Sequence, residues 1–216
     1  VNIAAAAVKR HDPGAFTHDP IYGDSKLWLF HTPAYQGMLE LVLVPTDCQD
    51  LLLPYRVGVG VQTLLLLCGM YALLFWQTRS WSVSVFTAVL SARLIDALGG
   101  AVWGAGPLAS VTPAGLCLAL WPLVVLAFAR YSRPEPNRSP LAQWRVILVF
   151  IVVGLLGNIH LVTAMNMTLV LLIAYVVRHR LSWRCLPVAL GAAAAAFVAA
   201  LPYVWYYFGL RARMTA

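Results

Sequence analysis

From residue 57 onward polar side chains almost disappear for long stretches, and the chain divides into apolar runs at 57–76, 81–97, 113–129, 146–156, 161–177 and 186–210. The runs are rich in Leu and Ala, and none alternates with the two-residue period of a porin-like strand. In a lipid environment the backbone must satisfy its own hydrogen bonds, so runs of this kind predict transmembrane helices, at roughly 20 residues per span. About six spans are expected. The polar stop Gln77-Thr78-Arg79-Ser80 is too short for anything but a tight turn, which makes the first two runs a helical hairpin. Residues 1–54 read differently. Pro13, Pro20, Pro33, Pro45 and Pro54 punctuate them and most of the acidic residues lie there, which predicts an extracytoplasmic or interfacial segment with short helices. The expected fold is an all-α, polytopic transmembrane bundle over 55–210, carrying that segment at its N-terminal side.

Composition supports this reading. The 216 residues are 61% hydrophobic and 11% charged, against roughly 45–50% and about 25% for a soluble domain. The net charge of +7 raises the question of nucleic acid, but the cations fall in short clusters between apolar runs, where they orient spans instead. Arg79, then Arg130, Arg133, Arg138 and Arg145, then Arg178, Arg180 and Arg184 follow the first, third and fifth runs. The connections after the second and fourth runs carry none. The first set is therefore expected on the cytoplasmic side, and the N-terminal segment with 99–111 and 158–160 on the outer side. Cys48, Cys68, Cys117 and Cys185 are scattered, without the spacing of a zinc site or a disulfide framework. The chain starts Val-Asn-Ile, with no initiator Met and no signal-peptide pattern, and reads as a piece of a longer protein with flanking spans missing.

The polar residues that topology leaves unexplained converge on the predicted outer side. Two His-Asp-Pro units, His11-Asp12-Pro13 and His18-Asp19-Pro20, stand seven residues apart. Asp before Pro fits a helix N-cap followed by a first-turn proline, as in Thr32-Pro33 and Thr112-Pro113. It equally fits a carboxylate held at the membrane surface as general base or metal ligand, with the adjacent His beside it. Arg93 and Asp96 share a face near the end of the second run, as a structural ion pair or as a phosphate-binding site. The stretch Gly99 to Pro107 is glycine-rich, either a close-packing seam or a pocket mouth. Asn158, His160, Thr163 and Asn166 border the turn between the fourth and fifth runs, and polar groups there need partners. Tyr203, Trp205, Tyr206 and Tyr207 form an aromatic belt near the last outer end.

With its His-Asp-Pro units, Phe30-His31-Thr32-Pro33-Ala34-Tyr35 and Gly157-Asn158-Ile159-His160, the chain resembles bacterial multi-spanning membrane proteins similar to the GT-C class of glycosyltransferases. The resemblance implies a sugar donor carried on a polyprenyl phosphate and inverting transfer at the outer face of the bacterial inner membrane. Asp12 or Asp19 would match the acidic catalytic residue of the first outer loop, and Arg93 has a positional claim as a donor-phosphate contact; His11, His18, Asp96, Asn158 and His160, expected on the same side, complete the candidate substrate-binding set. The expected partners are membrane lipid and the lipid-linked sugar, with no nucleic acid. No cofactor is required. A divalent metal would have only two or three outer acids and would need water to complete its shell. The alternatives are a transporter or flippase subunit, in which Arg93, Asp96 and His160 line a pathway, and a non-catalytic assembly protein. Neither a Gly-x-Ser-x-Gly elbow nor a His-Glu-x-x-His motif occurs, which disfavours a protease.

Overall fold

Every long apolar run folds into a helix, and two short helices precede them. The computed structural model describes residues 2–20, 32–46, 50–97, 111–133, 144–180 and 182–214. Its helices are α1 (Asn2–His11), α2 (Pro33–Leu43), α3 (Leu53–Thr78), α4 (Trp81–Ala97), α5 (Pro113–Tyr131), α6 (Trp144–Leu156), α7 (Leu161–Arg178) and α8 (Leu186–Met214). No strand occurs among the described residues. The glycine-rich stretch 99–107, the motif residues Phe30 and His31, and the loop at 134–143 lie outside them, as do the side chains of Arg93 and Asp96 on α4.

Helix ends follow local chemistry. Thr112 caps α5 in the expected manner, its Oγ1 accepting from the amide of Gly115 at 2.9 Å ahead of Pro113. Thr32 precedes Pro33 in the same extended conformation but makes no side-chain cap bond. Between α3 and α4 the chain turns through Arg79, whose φ of 57° puts it in the left-handed region at the end of α3. The tight hairpin expected at residues 77–80 is therefore present.

Four helices, α3, α5, α7 and α8, are long and apolar enough to cross a membrane. The other two apolar helices are shorter: α4 has 17 residues and α6 has 13. At 1.5 Å per residue α6 reaches only about 20 Å, against a hydrocarbon core of about 30 Å.

Close contacts set the helix directions. A side chain on Gly58 of α3 would strike Val111, just before α5, and one on Gly69 would meet Pro122 and Leu123 further along, so α3 and α5 run parallel. By the same argument Gly191 of α8 faces Ile147 of α6, Gly154 abuts Ala196, and Gly157 faces Ala200, so α6 and α8 run parallel. At the Gly154 crossing a Cβ would lie within 2.8 Å of the Ala196 carbonyl carbon. The buried residues Ala192, Ala196 and Ala200 repeat every four positions on α8, and this small-residue ridge lets two backbones touch. The main core fills the space among α5 to α8, with Phe128 and Phe150 edge to face at 6.4 Å. The bundle therefore has two distinct ends. The starts of α3 and α5 and the α6–α7 turn form one, and the ends of α3, α5 and α7 form the other.

Candidate functional site

The first end is covered by a small folded cap. The Ala4–Ala7 stretch of α1 is almost completely buried, and Ala4, Ala7 and Val8 pack with Tyr35, Leu39 and Leu43 of α2 and with Val111. Ile3, Phe16, Tyr55, Val59 and Ile159 join the edge of this cluster. Alanine permits the close approach because it fills almost no space and favours helix. Ile159 also packs against the main core, so the cap is continuous with the bundle.

Hydrogen bonds fix the cap in position. Tyr35, 1% exposed, donates its hydroxyl to the Val111 carbonyl at 2.9 Å, and the amide of Ala4 donates to the Tyr55 hydroxyl at 3.1 Å. Burial, with Tyr55 nearby as a smaller contribution, pushes the Tyr35 pKa up, so its hydroxyl remains a donor. Lys9 is only 3% exposed and donates from Nζ to the Ala15 carbonyl at 2.9 Å. Arg10 pairs with Glu40 of α2 at 2.9 Å. Among the described residues the other carboxylate oxygen of Glu40 is buried without a hydrogen-bond partner, as are Thr32 Oγ1 and the Oε1 of Gln62 on α3.

The two His-Asp-Pro units sit on the outer surface of the cap. His11 ends α1, and Asp12 follows it, accepting from the Gly14 amide at 2.9 Å in a local turn. No helix begins at Pro13, which removes the helix-capping reading for Asp12. Two tight turns follow, Ala15 N to Asp12 O at 3.0 Å and Asp19 N to Phe16 O at 3.0 Å, with Phe16 at a φ of 58°. His11, Asp12 and His18 are exposed, and Asp19 is partly exposed. The structure thus places both carboxylates and both imidazoles on one short loop, held down by Ala15 and Phe16.

Asn158 and His160 lie at the same end of the bundle, and local structure accounts for both side chains. The Asn158 amide nitrogen donates to the carbonyls of Leu155 at 3.1 Å and Ala199 at 2.9 Å, while its oxygen accepts from the Tyr203 amide at 3.0 Å. Ala199 and Tyr203 are the acceptor and donor that an uninterrupted helix pairs four residues apart. Pro202 lies inside α8 between them, and proline disturbs the hydrogen-bond ladder at that point. One carboxamide thus serves both groups. His160 caps α7, with Nδ1 accepting from the Thr163 amide at 3.3 Å and lying 2.7 Å from the Thr163 hydroxyl. Burial lowers its pKa, so the neutral ring is favoured.

Sequence reasoning missed Lys9, Arg10, Tyr35, Glu40 and Gln62. A signal existed for Glu40, because Tyr35, Gln36, Leu39 and Leu43 form the buried face of α2 and Glu40 flanks it. Among the described residues no group of three His, Cys, Asp or Glu side chains could hold a metal ion. An apolar groove of about 370 Å³ runs between α7 and α8 over Ala164, Ala193 and Ala196, from Leu161 and Val204 at the capped end to Leu172. Its rims are the exposed side chains of Met165, Leu169 and Phe197.

These features define the class of the protein: an integral membrane helical bundle with a folded N-terminal cap over one end. No protein-family model, curated protein or solved structure matches the chain.

Proposed function

We propose that the protein is a multi-pass enzyme of the bacterial inner membrane, acting on a sugar carried by a polyprenyl phosphate, with chemistry at the capped, extracytoplasmic end. One observation carries this reading. The α7–α8 groove, apolar but for Thr168 and floored by alanines, reaches the capped end at Leu161, next to His160 and close to the cap cluster through Ile159. A polyprenyl chain in the groove would bring its phosphate to the surface where the loop carries Asp12 and Asp19. There a carboxylate takes the proton of the acceptor hydroxyl as that oxygen attacks the anomeric carbon. The bond from that carbon to the phosphate oxygen breaks, and the phosphate leaves with the electron pair.

On this reading α4 and α6 also cross the membrane, giving six spans. Both lie between parallel neighbours, α4 between α3 and α5, and α6 between α5 and α7, whose ends meet through Arg178 and Ser132, so the chain has to return each time. The Arg-rich end then faces the cytoplasm.

The test uses the intact purified protein with a panel of radiolabelled polyprenyl-phosphate sugars, beside Asp12→Asn and Asp19→Asn. The expected outcome is transfer by the parent protein, reduced by a factor on the order of 10² or more in one of the two variants. A bulky Ala193→Phe in the groove floor should raise KM for the lipid donor and leave kcat nearly intact. Transfer indifferent to both carboxylate changes, or none on any donor, sinks the reading and leaves transport or assembly.

A further inference from the structure

The end of the bundle opposite the cap has a chemistry that catalysis does not use. Arg79, Arg130, Arg133, Arg145, Arg178 and Arg180 are all exposed there. They gather from separate helices. The Arg133 guanidinium lies 5.0 Å from the centre of the Trp76 ring, tying the end of α5 to the end of α3. Arg178 Nη1 donates to Ser132 Oγ at 3.1 Å and to the Ala129 carbonyl at 3.4 Å, tying α7 to α5.

Among the described residues these cations have no acidic partner. The two ion pairs among the described residues, Arg10–Glu40 and Arg56–Asp50, both belong to the opposite end. Of the eight acidic residues in the sequence, Glu135 alone falls in the connections at this end, against eight arginines. Every one of those cations is Arg, although the chain uses Lys at positions 9 and 26. The planar guanidinium fork fits two phosphate oxygens, where an ammonium is a point charge. Arg79 and Arg180 even occupy left-handed conformations, with φ of 57° and 54°. Glycine takes that conformation without strain, so the backbone gives no reason for arginine there.

Tryptophans complete the arrangement. Trp81, Trp144 and Trp183 begin or precede α4, α6 and α8 at this same end, and they are 65%, 52% and 84% exposed. Exposed indoles around a ring of cations match the water–lipid boundary, where the ring body is in acyl chains and the N–H in the headgroup layer. A soluble anion has no use for them.

We propose that this end is a docking surface for anionic phospholipid headgroups, with Arg79, Arg130 and Arg133 supplying charge and Trp81, Trp144 and Trp183 seating the protein at headgroup level. The surface is independent of the transferase reading and survives its failure. The experiment is native mass spectrometry of the detergent-solubilised protein with equimolar phosphatidylglycerol and phosphatidylcholine of identical chains. Parent protein should retain phosphatidylglycerol about tenfold over phosphatidylcholine, each surface arginine contributing a factor of about five or less. The triple change Arg79→Gln, Arg130→Gln, Arg133→Gln should bring that ratio close to one, and the corresponding Lys triple, which keeps the charge but not the fork, should fall between the two. Arg56→Gln, at the capped end, should leave it unchanged. Should the Gln triple fail to fold, Arg130→Glu alone should still lower the ratio severalfold. The proposal is overturned by equal retention of both lipids, by a ratio that the arginine changes do not move, or by loss of the bound lipid to inorganic phosphate at matched concentration.

Discussion

The two ends of the bundle carry cations of the same kind and use them in opposite ways. At the capped end Lys9 is buried against the Ala15 carbonyl, Arg10 is paired with Glu40 and Arg56 with Asp50. At the other end the arginines are exposed and have no carboxylate partner among the described residues, even where Arg133 packs over Trp76 and Arg178 bonds Ser132. In the first case charge serves geometry: it closes turns and clamps α1 onto α2. In the second, charge is offered to the surroundings. A count of cations alone would treat both ends alike, and only the partner of each cation separates a structural role from an interaction surface.

The largest expected effect comes from the seam that joins the two ends. Gly154→Leu would force α6 away from α8, because even a Cβ collides with the Ala196 backbone. The loss should exceed about 3 kcal/mol, read as a collapse of the thermal midpoint in detergent. It should also withdraw Asn158 from Ala199 and Tyr203, which the same helix spacing brings within reach. A stable Gly154→Leu variant would break the account of how α6 positions the capped end. Next in size is Asn158→Leu, which leaves the Ala199 carbonyl and the Tyr203 amide without the carboxamide that bridges them. A cost of about 2–3 kcal/mol is expected. Asn158→Asp should keep the bond to the Tyr203 amide and lose those to Leu155 and Ala199, with an intermediate result.

These two positions also show what could be read in the chain beforehand. The apolar runs were plain, because a spanning helix needs little beyond length and hydrophobicity, and α3 to α8 each overlap their predicted run. The division of cations between two ends was plain for the same reason. The helix packing was not. Gly154 is an ordinary glycine in an apolar run, and only the facing alanines of α8 make it a contact point. Asn158 was singled out as a substrate ligand because a polar group in that place needs a partner. The partner among the described residues is the backbone beside Pro202, some 40 positions away, which no local pattern announces. The cap was the least legible part, since its stability depends on pairs such as Tyr35 with Val111 that are distant in sequence.

Tyr35→Phe tests that pair with the smallest change of shape. It leaves the Val111 carbonyl buried without its donor, at a cost of about 1–2 kcal/mol. If the cap is held as described, protease should cut the 12–20 loop faster in this variant while α5 to α8 stay protected. Equal protection in parent and variant would mean that the hydroxyl contributes nothing to seating the cap.

The smallest effect separates the ends by pH. The folded-state pKa of His160 is lowered by burial, so at mildly acidic pH the unfolded chain binds a proton that the folded chain resists. Its contribution to stability is complete above the unfolded value near 6.5 and is lost as pH falls through the lower folded value. The geometry agrees in sign: Nδ1 accepts from the Thr163 amide, and a proton on that nitrogen would oppose that donor. Thermal midpoints measured from pH 8 to pH 5 should therefore fall on the acid side, and His160→Asn, which keeps a capping oxygen for α7, should flatten that fall. A slope that His160→Asn leaves untouched would move the acid sensitivity away from the α6–α7 turn.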